Sequence, residues 1–318
     1  MSGKLTPDYM MSASRLPALL GLSRYQTPND ELQYSINASK GLPREDKQNE
    51  AMAWGDRIER LILLETAKRL ELLELSTEFD SAFFHKTLPL ACSLDGWAHG
   101  RGQKIRTDMD AGIIVVGQDE IMLDGYGVLE AKLTAVSPEE MPALYRGPVQ
   151  LQAQMDIMQA RWGAVAVLYQ GTVLRIFLFE PHKQTLETIK TAVLEFQNKI
   201  EKYKATGEID YYPPANSKDA DRMYPAADEA AVVNLPGRAE QLADQILAAN
   251  AAIKEAEGKR SEAETELKAM LGQASKGTVG RFEIRWPMRS YKATPEKVVP
   301  AKDAYSIRQS TLSIKEAL

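Results

Sequence analysis

The sequence predicts an α/β fold: a central mixed β-sheet flanked by helices, with a C-terminal helical, coiled-coil-like segment and a small β appendage. Three observations lead there. Apolar residues recur at three- and four-residue spacing over 49–73 and 186–203, as they do along one face of a helix, and 149–160 also reads as helical. Between His85 and Thr134, and again from 164 to 180, the pattern shortens to β-type runs broken by Gly and Asp. Helices, then strands, then helix, hairpin and helix suit a mixed sheet better than a regular βαβ alternation.

Taken in order, Ser14 to Leu20 reads as a short helix stopped by Gly21, and LLGLSRYQTP as a loop. From about Asn49 to Leu73, Met52, Ile62, Leu63, Ala67 and Leu70 mark an amphipathic helix, with Glu59 one turn after Gly55. LPLACSLDG, AGIIVVG and YGVLEAKLTA begin the sheet. AVAVLYQ and VLRIFLFE, joined through Gly171-Thr172, form a hairpin of two buried strands. Leu186, Ile189, Val193, Phe196, Ile200 and Tyr203 then share a helical face. Pro213, Pro214, Pro225 and Pro236 indicate a linker or an arm lying on the core. The expected division is a core at 1–212, a Pro-rich linker at 213–237 and an appendage at 238–318. In the appendage, Leu242, Ile246, Ala249, Ile253, Ala256, Arg260, Ala263, Leu267 and Met270 follow heptad steps, with Gly272 as a stop. The favoured reading is a helix packed on its own domain or in a helical hairpin; the alternative is a coiled-coil contact with another chain. VGRFEIRW and YSIRQSTLSIKEAL alternate as a small β-rich cap would.

Composition narrows the chemistry. The hydrophobic fraction of 44% and charged fraction of 26% in 318 residues are those of an ordinary globular protein. No apolar run reaches the ~20 residues of a membrane helix, and MSGKLTPDYMMSASR lacks the order of a signal peptide. A cytoplasmic location without membrane attachment is expected. Cys92 is the single cysteine, which excludes an internal disulfide and a thiolate metal cluster, so a metal here must be held by oxygen ligands. A net charge of −5 is the wrong sign for coating nucleic acid; a DNA-directed chain would have to focus its Lys and Arg in a channel. His85, His99 and His182 show no metal-ligand spacing, and no Gly-x-Ser-x-Gly elbow supports a serine hydrolase.

Glu-x-Lys starts at Glu45, Glu130, Glu257 and Glu266, so the pattern alone says little. Only Glu130-Ala131-Lys132 lies in a β-type run, where residues two apart share a face, so a carboxylate and an ammonium would stand side by side. Ser93-Leu94-Asp95-Gly96 ends another predicted strand that a neighbour could bring beside Glu130, although Asp-Gly is also a common turn. Asp108, Asp110 and Asp124, in the segment between, are rival acids. Gln150 and Gln152 lie on one polar stretch.

Five segments in order, MSASRLPALLGLSRYQTP, AWGDRIERL, CSLDG, LEAK and PVQLQAQM, resemble the YqaJ-type viral recombinases. These are the phage lambda exonuclease-like family of the PD-(D/E)xK nuclease superfamily, and the likeness extends over roughly residues 8 to 205. It implies a restriction-endonuclease-like core. It implies further that Asp95, Glu130 and the Ala131 carbonyl bind a catalytic Mg2+, that Glu59 completes the set for a second ion, and that Lys132 orients or activates the attacking water. Mn2+ would accept the same oxygen ligands. Gln150 matches the family glutamine beside the catalytic centre, and Gln152 accompanies it on the DNA side. Ser14 and Ser93 match serines that cradle a terminal 5′ phosphate, Ser14 having a helix N-cap as its alternative role. The arginine that lambda-like enzymes place upstream of the first serine has no counterpart, so Lys4, Arg15 or Arg24 would take its place.

The activity so implied is a Mg2+-dependent exonuclease acting on double-stranded DNA ends, 5′ to 3′, leaving single strand for an annealing protein. A homo-oligomer, such as a trimeric ring around DNA, would suit it, in a bacterial cytoplasm if the chain is phage- or prophage-encoded. The alternatives are a nuclease of the same fold with other polarity or endonuclease action, and a non-catalytic DNA-binding scaffold that works through the heptad helix.

Overall fold

The computed structural model describes residues 5–42, 49–228 and 230–289. The chain divides into two compact units, Met1–Met223 and Tyr224–Leu318.

In the first unit, a two-residue strand β1 (Met11–Ser12) leads through a 3-10 turn (Ala13–Arg15) into α1 (Leu16–Leu19), and Gly21 at φ +68° ends the turn as its sequence position predicts. Helix α2 (Pro28–Ser39) follows. Apolar spacing does not reveal it, because its buried residues include Asn29, Glu31 and Ser35 beside Leu32 and Ile36. Its signal is a capping box: the Thr27 hydroxyl accepts from the Asp30 N–H while the Asp30 carboxylate accepts from the Thr27 N–H, with Pro28 at the first helical position. Helix α3 (Glu50–Arg69) starts at an Asn49 cap and buries Ile62, Leu63, Thr66 and Ala67.

The strands are β2 (Leu73–Ser76), β3 (Phe83–Phe84), β4 (Leu90–Cys92), β5 (Gly96–Arg106), β6 (Ile113–Val115) and β7 (Glu120–Thr134). After α4 (Pro148–Met158) come β8 (Gly163–Tyr169), β9 (Val173–Phe179) and α5 (Lys183–Thr206). The main sheet has the order β2-β5-β7-β8-β9-β6. It is mixed: β7 pairs parallel with β8, and β6 with β9, while β5–β7 and β8–β9 are antiparallel. This is the predicted α/β architecture. The segment between Asp95 and Glu130 is a long β5–β7 ladder whose connection crosses to the far edge and contributes β6.

Alternation along β7, β8 and β9 divides the core. Leu129, Ala131, Ala164, Ala166, Ile176 and Leu178 pack with Ile62 and Leu63 of α3. Val128, Val165, Val167 and Phe177 pack with α4 and α5. Helix α4 lies within this core and buries residues around its circumference, Gln152 and Gln154 among them. Its approach depends on Gly147: at φ +113°, a Cβ there would meet Val165 Cγ1 at 2.7 Å.

The proline-rich stretch is not linker throughout. It contains α6 (Ser217–Met223), where the buried Asp219 accepts from the Thr27 hydroxyl, the Asn29 amide and the Ala215 N–H, and Arg222 pairs with Asp30. A short helix can start between prolines when its polar cap finds partners on the core.

The second unit contains α7 (Arg238–Leu271), ended by Gly272, and a hairpin of β10 (Lys276–Val279) with β11 (Phe282–Arg285). None of the α7 residues is buried, so the favoured packed-helix reading is not what the structure shows; ion pairs Lys259–Glu255, Arg260–Glu264 and Lys268–Glu264 line the helix instead. YSIRQSTLSIKEAL lies outside the described residues.

Candidate active site

The site forms where β5 begins and β7 runs on beyond it. The ladder's last pair is Gly96 with Leu129, so the Ala131 N–H has no β5 carbonyl to meet. Asp95 takes its place: its Oδ2 accepts from Ala131 N at 2.9 Å. Glu130 and Lys132 stand two residues apart on the same face of β7, and the Lys132 ammonium pairs directly with Glu130 Oε1.

Glu130 is fully buried. Its second oxygen, Oε2, accepts from Gln150 Nε2 at 2.9 Å and Gln154 Nε2 at 2.8 Å. These glutamines lie one turn apart on α4 and therefore share a face. Gln154 also donates to the Ser93 carbonyl at 3.1 Å, tying the Ser93–Asp95 turn to the same helix. Glu59 comes from α3, half-buried and within electrostatic reach of Glu130, Lys132 and Asp56.

Burial, reinforced by the Glu130 charge, raises the Asp95 carboxyl well above its ordinary value, and raises Glu59 for the same two reasons. Burial opposes the charge on Lys132, but Glu130 and Asp95 outweigh it, so the ammonium is held above its usual value. Burial pushes the Cys92 thiol up to about 12, which leaves it an inert core group. Three acids thus share one Lys in a partly dry setting, an arrangement short of positive charge.

Among the described residues no three His, Cys, Asp or Glu side chains are grouped as a metal would need. The Glu130 oxygens are taken by Lys132 and the two amides. The donor chemistry of Asp95, Glu130, Glu59 and the Ala131 carbonyl still fits a hard dication, since all are oxygens and the acids repel one another without one.

The remaining predicted site residues separate into two groups. Ser14 and Ser93 are exposed and leave the same end of the parallel β1–β4 ladder, in which Ser12 pairs with Ala91. Ser14 lies inside the 3-10 turn and its hydroxyl meets that of Ser12 at 3.2 Å; Ser12 holds the N-cap position, which removes the N-cap alternative for Ser14. Arg15 and Gln152 do not face the site. Arg15 is buried, with its five N–H groups directed to Glu31, the carbonyls of Asp8, Met10 and Glu31, and the Ser35 hydroxyl. Gln152 bridges the Glu180 carbonyl and the His182 N–H, because two residues along a helix turn it away from Gln150. Among the rival acids, Asp108 caps its own turn through the N–H groups of Asp110 and Ala111. Asp124 faces Arg161 and is six residues, about 20 Å, along β7 from Glu130. Arg24 is exposed, stacked over Tyr145, while Lys4 is outside the described residues.

Gln154 is the site residue that sequence reasoning missed. The signal was there: it lies four residues after Gln150 on a stretch with the length and apolar content of a helix.

A mixed sheet carrying an acid and lysine cluster at the start of one strand and the middle of its neighbour defines the class. Residues 7–161 match the model of the YqaJ-like viral recombinase domain. Among solved structures, the chain is similar to LHK-Exo in complex with dAMP, with a TM-score of 0.44 and 16% identity over 63% of this chain and 93% of that one. It is similar also to an alkaline exonuclease, LHK-Exo, from Laribacter hongkongensis, with a TM-score of 0.45 and 15% identity over 63% and 94%. No curated protein matches it in sequence. No helix among the described residues is long and apolar enough to cross a membrane.

Proposed function

We propose that the chain is a divalent-metal-dependent deoxyribonuclease, an exonuclease that hydrolyses linear double-stranded DNA from its 5′ ends. The observation that carries this reading is the convergence of Asp95, Glu130 and Lys132, with Glu59 in electrostatic contact, within the stretch that matches the YqaJ-like domain model. A Mg2+ or Mn2+ ion at Asp95, Glu130 and the Ala131 carbonyl, with Glu59 serving a second ion, would supply the positive charge that a phosphodiester needs at its transition state.

The protein's own groups do the rest. Lys132 leaves Glu130 as substrate arrives, directs its ammonium at the attacking water and steadies the charge that develops on the phosphate. Gln150 and Gln154 keep the Glu130 carboxylate aimed while Lys132 moves. The exposed hydroxyls of Ser14 and Ser93 suit a terminal phosphate, which supports 5′ polarity. We extend the reading to a homo-oligomeric ring and a single-strand annealing partner; the exposed heptad seam of α7 is what supports self-association.

The test is digestion of linear duplex DNA labelled separately at its 5′ and 3′ ends, with and without Mg2+, by the parent and by Asp95→Ala. Mg2+-dependent release of the 5′ label that Asp95→Ala abolishes is expected. First release of the 3′ label would reverse the polarity, internal cuts would make the chain an endonuclease, and DNA binding without cleavage by the parent would leave the scaffold reading.

A further inference from the structure

The β5–β7 ladder reaches far beyond the acid cluster, and its two faces differ. On one face Ala98, Gly100, Ile121, Leu123 and Gly127 are packed away; the other lies open along much of its length. The open face is the one that carries Glu130 and Lys132, since residues two apart on β7 point the same way. Next along it come Trp97 and Tyr126, their rings stacked with centroids 5.2 Å apart and planes 3° from parallel, with His99 edge-on to Tyr126 at 4.8 Å. Tyr126 is 42% exposed and is braced by its hydroxyl, which donates to Glu74 Oε2 at 2.7 Å. Past the rings the same face carries the exposed Arg101 directly opposite the exposed Asp124, then Lys104 and Arg106, which share Glu120.

We propose that this face is a binding track for single-stranded DNA, with bases stacking on the Trp97–Tyr126 platform and the backbone meeting Arg101. The inference rests on the nuclease reading for its substrate but not for its geometry. The exposed Tyr126 ring, backed by the half-buried Trp97, can accept any base, and a cation beside it can accept the backbone, which is the combination used to hold single strands without sequence preference. Between the rings and the acid cluster the same face carries Val128, which is buried in the core. From Tyr126 to Glu130 is four residues, about 13 Å of strand, which is on the order of four stacked nucleotides at ~3.4 Å each. A strand lying here would feed the site or lead away from it.

Binding is measured by fluorescence anisotropy of a labelled oligo-dT with the full chain in EDTA, so that hydrolysis plays no part. Tyr126→Ala should weaken binding by roughly 5- to 100-fold, the worth of one stacked base. Tyr126→Phe keeps the ring, loses only the bond to Glu74, and should bind as the parent does. Arg101→Ala should flatten the salt dependence by about 0.7 in slope, one contact's worth for a single strand. Equal affinity of Tyr126→Ala and the parent overturns the track, as does an equal loss in Tyr126→Ala and Tyr126→Phe, or no measurable binding by the parent. Failure of the nuclease reading would show separately in the end-label digestion, since binding in EDTA does not depend on it.

Discussion

Glu130 has no exposed side-chain surface, yet it holds three donors, and its neutralisation depends on Lys132. Removing that ammonium leaves a buried carboxylate facing two other acids. Lys132→Met should therefore lower kcat by at least about 100-fold with little change in KM, as steady-state digestion of a labelled duplex would show; a near-parental kcat would remove Lys132 from the chemistry. Gln154 acts through Glu130 and is a positioning residue. Gln154→Leu takes away one charge-assisted hydrogen bond, worth about 1.5–3 kcal/mol. It should lower kcat by roughly 10-fold or more while KM holds, with Gln154→Glu failing to rescue because it adds a fourth acid. An effect confined to thermal stability would make Gln154 purely structural. Glu130 and Lys132 are legible in the sequence because strand periodicity alone puts them on one face. Arg15 misleads because its partners, Glu31 and Ser35, are distant in sequence and its burial shows only in the fold.

Elements position these residues, and their ends bear the constraint. Gly147→Ala would force a left-handed φ on a residue with a side chain and press it against Val165, at the point where α4 begins. The variant should lose about 1–3 kcal/mol and, because Gln150 is three residues on, lose activity ahead of secondary structure; unchanged melting with full activity would contradict this. The α2 start is a second such point. Burial pushes the Asp30 carboxyl up, but the Arg222 hydrogen bond, the Thr27 N–H and the charges of Arg222 and Lys218 outweigh it, leaving Asp30 below its ordinary value. A depressed carboxyl stabilises the fold fully above the unfolded value of about 3.9 and loses that contribution as pH falls through the folded one. The Tm advantage of the parent over Asp30→Asn should hold at pH 6 and shrink below about pH 4; a pH-independent difference would show that charge is not its source. Most element positions were readable from periodicity. Helix α2, strand β5 and the detour of β6 were not: α2 is carried by a cap and buried polar groups, β5 is a Gly- and charge-rich run with few apolar residues, and β6 depends on a pairing with β9 some sixty residues away.

At the scale of the molecule, the first unit has a packed core on each side of its sheet, while the second presents a 34-residue helix with nothing buried. Exposed Leu242, Ile246, Ile253, Leu267 and Met270 give α7 an apolar seam that self-association would cover. Sedimentation of the parent should show an oligomer that Ile246→Lys with Ile253→Lys converts to monomer; a monomeric parent would sink the ring. The sequence by itself determined the fold class, the main helices, the β8–β9 hairpin and the acid-lysine pair on β7, because each follows from local periodicity and residue chemistry. Only the tertiary structure decided that Asp95 caps the end of the β5–β7 ladder, that Gln154 rather than Gln152 meets Glu130, that Arg15 is a buried brace, and that the rings of Trp97 and Tyr126 share a face with Glu130 and Lys132. Those facts depend on which strand lies beside which and what lies over them, and contacts between distant segments leave no period in a single chain.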